Sequence, residues 1–296
     1  MKTKKHITKA DLVFDVVKWM FLVLFVIATL YPILNTLAVS FNDGLDSIKG
    51  GIHLWPRQFT LKNYTTVLQK DTLIQASIIT VARTAIGTVV QLLATALLAY
   101  VLSRKEFIFR KQITVLYVLT MYLNAGLIPN YLLIRNLNLL NTFSVYILPG
   151  MVSAFNMIVI RTYINGLPDS LVESAQLDGA KYWTIFWRII MPLATPVLAT
   201  VALFIAVGHW NSWFDAMLYN GFNKDLTTLQ YELMKLLSAV TNQGANVESM
   251  KNAQNVVTPM SVRAATTIIT SLPIICLYPF LQRYFVAGLT IGGVKE

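Results

Sequence analysis

Residues 167–180 read LPDSLVESAQLDGA, a polar segment set between two apolar stretches of membrane length. Its carboxylates, hydroxyls and closing glycine suit a small polar helix, the kind of surface on which a soluble partner docks at a membrane face. Bond-making chemistry finds no comparable constellation. His6, His53 and His209 lie far apart and offer no metal-ligand spacing. The 14 acidic residues are scattered, with no carboxylate pair inside an apolar stretch. There is no H-E-x-x-H and no G-x-S-x-G, and serine and histidine find no evident triad partner. Without a G-x-x-x-x-G-K-[ST] loop, any ATP that drives this protein must be bound by another chain. The single cysteine, Cys276, lies in an apolar run and can form no disulfide within the chain.

A second constellation is Trp210, Asn211, Trp213 and Asp215. Aromatic faces beside amide and carboxylate groups suit a sugar pathway. The same residues also fit an outer aromatic belt with a polar clasp between helices. Tyr122 and Asn124 precede Pro129, where a proline favours a kink. They could set packing geometry or leave Asn124 exposed on a cavity wall.

The elements that position these residues follow from composition. Of 296 residues, 55% are hydrophobic and 13% charged. Soluble domains carry about 25% charged residues, so the deficit marks a polytopic membrane protein. Net charge is +10, which fits cations held in cytoplasmic loops rather than nucleic-acid binding.

A spanning helix needs about 20 mainly apolar residues. Six stretches qualify: residues 16–39, 78–102, 113–133, 145–164, 196–219 and 264–285. Lys2, Lys4, Lys5 and Lys9 precede the first, Arg104, Lys105, Arg110 and Lys111 follow the second, and Arg161, Lys181 and Arg188 follow the fourth. With six spans all three groups share one side, which is then cytoplasmic, and both termini are inside. The expected organisation is a cytoplasmic arm over 1–15, a six-helix domain over 16–285 and a cytoplasmic tail over 286–296. The apolar run after the arm is too long for a signal h-region and reads as a retained first helix. Segments 41–77 and 220–263 then lie outside. The first holds Trp55-Pro56, read as an interfacial anchor. Arg83, near the outer end of the second span, is expected to snorkel to the interface, and Arg161 to anchor the inner one.

Within the polar segment, Pro168 suits a first helical turn. Ser170-Leu171-Val172-Glu173 matches a capping box, and Gly179 can end the helix in a left-handed conformation. On pattern alone this is equally a short interfacial helix that only connects two spans.

Glu173-Ser174-Ala175, three residues, Gly179, nine residues, Ile189, one residue and Met191-Pro192 resembles the EAA loop of ABC importer permeases, E-A-A-x3-G-x9-I-x-L-P. Ser174 and Met191 depart from it mildly, in size and polarity. Phe280–Thr290 with Gly292, Gly293, Val294 and Lys295, the 210–215 stretch, and Gly126-Leu127-Ile128-Pro129 are similar to the carbohydrate-importer branch that handles complex oligosaccharides. The likeness covers nearly the whole chain. It implies an all-α integral membrane protein with six transmembrane helices and a type I (MetI-like) importer permease architecture.

The resemblance also implies roles and partners. The loop would be a coupling helix seated in a cleft of an ATPase. Ala175 and Gly179 would allow close backbone approach, Glu173 and Asp178 would offer charged hydrogen bonds, and Ile189 and Pro192 would set the start of the fifth span. The expected assembly pairs this chain with a second permease, two copies of a cytoplasmic ATPase and an extracytoplasmic solute-binding lipoprotein in the bacterial cytoplasmic membrane. The chain itself would hold no cofactor, ATP and magnesium residing in the ATPase. A permease of the same architecture for peptides or lipid-linked compounds is the alternative. An ion-driven transporter would need intramembrane acidic residues, and Asp215 is the one candidate.

Overall fold

The computed structural model describes residues 9–69, 71–243 and 257–291. Lys2, Lys4 and Lys5 of the arm, residues 244–256 and residues 292–296 lie outside them. Among the described residues every named element is helical, and Asn42 with Phe59 makes an isolated bridge. Three helices are long and apolar enough to cross a membrane: α1 (Lys9–Ser40), α4 (within Asp71–Ser103) and α14 (through Pro259–Cys276 of Pro259–Ile291). A fourth candidate span is a broken one, Tyr182–Leu193 joined to Thr195–Asn211 at an 82° bend.

The remaining apolar stretches are built from shorter pieces. Residues 113–133 fall on α5 (Arg110–Tyr122) and α6 (Leu127–Asn136). The interruption lies upstream of Pro129, at residues 123–126. There Gly126 takes φ 89°, a left-handed value that favours glycine, and its N–H donates to Asn124 Oδ1 at 2.9 Å. Pro129 sits in the first turn of α6, where a missing N–H is harmless. Residues 145–164 begin in a 3-10 turn (Phe143–Tyr146) and continue in α7 (Ala154–Asn165), whose cap is Ser153. Residues 196–219 divide into α11 (Thr195–Asn211) and α12 (Phe214–Asn220), because Ser212 is extended.

The chain forms two compact units. In the first, residues 1–69 and 236–269, α1 leaves its apolar side chains open: Phe14, Phe21 and Phe25 are 68%, 65% and 58% exposed. That is the surface a lipid-facing helix presents. Its C-terminal end enters a polar knot. Asn42 is fully buried and its Nδ2 donates to Asp46 Oδ2 and Ser47 Oγ, while its Oδ1 accepts from Gln58 N. Asn63 Nδ2 donates to Ser40 O and Asn42 O. The following loop folds back along α1: Tyr31 Oη meets His53 Nδ1 at 2.8 Å and Asn35 Nδ2 donates to Ile52 O at 2.6 Å. Tyr31 lies about 13 Å below Ser40 along the axis, and Trp55, two residues beyond His53, is 84% exposed.

The second unit, residues 70–235 and 270–296, has a larger apolar core shared by α4, α7, α8 (Asp169–Leu177), the 182–193 segment and α11, and a smaller cluster of Ile134, Val145, Tyr146, Ile147 and Ala216. Ala96, Ala99, Met157, Ile160, Ile185 and Val201 are essentially inaccessible in the larger core. Two alanines on α4 permit close helix approach, as membrane helices require.

Candidate functional site

The helix expected in the polar segment is α8. It starts one residue before the proposed capping serine: Pro168, at φ −60° and ψ 125°, is the N-cap and makes no side-chain capping bond. Ser170 therefore lies inside the first turn, where its hydroxyl cannot cap the helix, and the expected Ser170–Glu173 capping box does not form. Asp169 occupies the first helical position, where a carboxylate favours the positive end of the dipole. It also accepts a hydrogen bond from Lys105 Nζ at 2.6 Å. That bond holds the Asp169 carboxyl below its ordinary value and raises Lys105.

The far end matches expectation. Gly179 has φ 80°. Its N–H donates to Gln176 O at 3.0 Å and that of Ala180 to Ala175 O at 2.9 Å, the paired bonds of a Schellman cap. A Cβ at Gly179 would meet nothing within 4 Å, so it is the backbone conformation that calls for glycine.

Helix α8 has two distinct faces. Val172 is buried in the shared core, with Leu167, Ala175 and Ala180 packed against it. Glu173, Ser174, Asp178 and Gly179 face outward and are exposed. So is Leu177, at 90%. Sequence reasoning passed over Leu177. The signal was there, because Val172 and Ala175 set the inward stripe and Leu177 falls off it.

Ile189 packs against the same core, while Pro192 is exposed at the corner between the two bent arms. The approach to the corner is a π-helical turn (Phe186–Ile190), in which Met191 N–H reaches back to Phe186 O. Pro196 cannot donate to Pro192 O, and Thr195 Oγ1 does so instead at 2.7 Å. The corner thus has its freed carbonyl satisfied.

The residues proposed for a substrate pathway separate into two groups. Trp210 is buried and its Nε1 donates to Thr270 O at 2.9 Å. Asp215 is tied down within the protein. Arg83 Nη2 reaches its Oδ2 at 2.5 Å, and its Oδ1 accepts from Ser212 Oγ at 2.7 Å and Ala216 N at 2.9 Å. Arg83 does not snorkel: it is 1% exposed, with its guanidinium 4.3 Å from the Tyr146 ring centroid. A carboxylate within reach makes burial cheaper than the path to the interface. Trp213 is half-buried, edge-on to Phe214 at 5.7 Å, and Asn211 is exposed. Tyr122 is 80% exposed. Among the described residues no hydrogen bond or ring contact joins Tyr122 or Asn124 to residues 210–215. No cluster of three or more metal-ligating side chains occurs among the described residues.

The family profile described as "Binding-protein-dependent transport system inner membrane component" matches residues 91–291, and the chain belongs to that family. Protein LplC of Bacillus subtilis (strain 168) is 37% identical over 291 residues, 98% of this chain and 97% of that protein. The polygalacturonan/rhamnogalacturonan transport system permease protein YtcP of the same organism is 30% identical over 285 residues, 95% of this chain and 98% of that protein. Among solved structures, a chain in the crystal structure of a bacterial ABC transporter involved in import of the acidic polysaccharide alginate superposes with a TM-score of 0.86 at 30% identity, covering 94% of this chain and 98% of that one. The expected importer permease architecture is therefore the observed one.

Proposed function

We propose that this chain is a permease subunit of an ATP-driven importer that moves oligosaccharides across the bacterial cytoplasmic membrane, performing no chemistry itself. The observation that carries this reading is α8. Its inner face is locked into the core through Val172, and its outer face offers Glu173, Ser174, Leu177 and Asp178. A helix so held transmits a push rather than absorbing it. ATP binding closes the ATPase dimer, and α8, seated in that dimer's cleft, passes the motion to α4 and α11. ATP and magnesium stay with the ATPase. The Lys105–Asp169 pair supports placing the loop after α4 and α8 on one face, the cytoplasmic one by the cations of that loop and by Arg161, Lys181 and Arg188 on either side of α8, with both termini there. The outer segments 41–77 and 220–263 receive an extracytoplasmic solute-binding lipoprotein, and a second, distinct permease completes the pathway. Relatives named for polygalacturonan and for arabinooligosaccharides support oligosaccharide as the substrate class. Trp213 and Asn211 are the candidate sugar contacts that keep accessible surface, with Tyr122 and Asn124 beyond them. Trp210 and Asp215 act by holding that region in place.

The test is a pull-down of the tagged chain in mild detergent with mass spectrometry of what co-purifies. A second permease, an ATPase and a sugar-binding lipoprotein are expected. Recovery of this chain alone with transport intact would overturn the importer reading and reopen an ion-driven mechanism.

A further inference from the structure

At the inner end of α4 the chain forms a cleft of about 440 Å³ lined by Tyr100, Val101, Arg104, Glu106, Phe107 and Tyr182. Its walls are aromatic and aliphatic, and its charged groups are one guanidinium and one carboxylate. Arg104 uses Nε on Ser103 Oγ at 3.1 Å and lies 5.0 Å from the Tyr100 ring centroid. Neither of its terminal nitrogens has a hydrogen-bond or ion-pair partner among the described residues. Lys105 is taken by Asp169, which leaves Arg104, Arg110 and Lys111 as the uncompensated cations of this loop. Between them Ile108 and Phe109 are 82% and 58% exposed. A loop of exposed apolar tips flanked by free cations, next to the end of a spanning helix, lies at headgroup depth.

We propose that this cleft binds an anionic phospholipid whose headgroup carries hydroxyl donors, as phosphatidylglycerol does. Arg104 takes the phosphate through its free fork, the geometry in which guanidinium excels. Glu106 accepts from a headgroup hydroxyl, which gives the carboxylate a partner where a bare phosphate would repel it. Val101, Phe107 and Tyr182 line the start of an acyl chain. The inner-leaflet assignment rests on the proposed orientation; the binding does not.

The experiment is native mass spectrometry of the purified importer complex. It is incubated with equal amounts of chain-matched phosphatidylglycerol, phosphatidic acid and phosphatidylcholine. The phosphatidylglycerol adduct should dominate. Arg104→Gln should reduce it at least about fivefold, and Glu106→Gln should bring it down to the phosphatidic acid level. Equal retention of the three lipids, phosphatidic acid matching phosphatidylglycerol on the unaltered complex, or an adduct untouched by Arg104→Gln would each overturn the proposal. The same spectrum gives the mass of the assembly, so an unfolded variant, or an importer reading that fails for lack of an ATPase, is told apart from a lost lipid site.

Discussion

Arg83 and Asp215 stand 132 positions apart and close on each other at 2.5 Å, with the Arg83 side chain 2% and the Asp215 side chain 25% exposed. The pair ties α4 to α12, and Tyr146 covers the guanidinium from one side while donating its own hydroxyl to Leu226 O. Asp215→Leu strands a buried guanidinium and should cost about 3–5 kcal/mol, whereas Arg83→Met with Asp215→Leu removes both charges and should cost less. Thermal unfolding of the purified variants and their double-mutant cycle measures this. Losses that simply add in the double variant would show that the charges are not coupled.

Gly87 and His209 make a tighter contact. A Cβ at Gly87 would lie 2.4 Å from His209 Nε2 and 2.7 Å from its Cε1, so Gly87→Ala forces the imidazole or the α4–α11 spacing to shift. A loss of about 1–3 kcal/mol is expected. Adding His209→Ala should recover part of it, and a double variant no more stable than Gly87→Ala alone would refute the contact.

On the proposed docking face, Leu177 is the exposed apolar anchor. Leu177→Ala should weaken ATPase association by about 1–2 kcal/mol, close to tenfold, since one buried apolar side chain can dominate an interface. The unfolding midpoint of the isolated chain should stay put, because Leu177 packs on little within it. Titration of detergent-purified chain with the ATPase reads both.

Gly179 separates a conformational need from a steric one. With φ 80°, a β-branched residue costs about 1–2 kcal/mol there, while asparagine tolerates the left-handed region. Gly179→Asn should keep ATPase association and Gly179→Val should lose it. If both fail alike, the ATPase needs the absence of a side chain and not the cap.

The Lys105–Asp169 pair has a defined pH window. The Asp169 carboxyl is lowered, so its contribution is present above the ordinary carboxylate value and fades as pH falls through the lowered one. Lys105 is raised, so its contribution is present below the ordinary lysine value and fades as pH rises through the raised one. The bridge should therefore be constant through neutrality. Hydrogen exchange at the first turn of α8, corrected for its intrinsic pH dependence, should be flat there. Lys105→Met should speed it.

The long spans α1, α4 and α14 were legible because uninterrupted apolar length is itself the signal. The end of α8 was legible because the left-handed conformation that closes it suits few residues other than the glycine at 179. The breaks at 123–126 and 212–213 were not, since a few polar residues do not interrupt a stretch that is apolar on average, and the backbone turns on Gly126 and on an extended Ser212. The capping box was a pattern match that Pro168 displaced by starting the helix early. Arg83 was misplaced because its partner is remote in sequence, which no local window reveals.

The 82° corner between Tyr182–Leu193 and Thr195–Asn211 has the geometry of a bell-crank. Its arms are about 18 Å and 26 Å long at 1.5 Å per residue, and its elbow is stiffened by the π turn and by Thr195. A rotation that displaces the tip of the short arm by 1 Å moves the tip of the long arm by about 1.4 Å, nearly at right angles. Under the proposed coupling, a stroke delivered to the short arm beside α8 would emerge along a crosswise path, enlarged, at the Trp210 end of the long one.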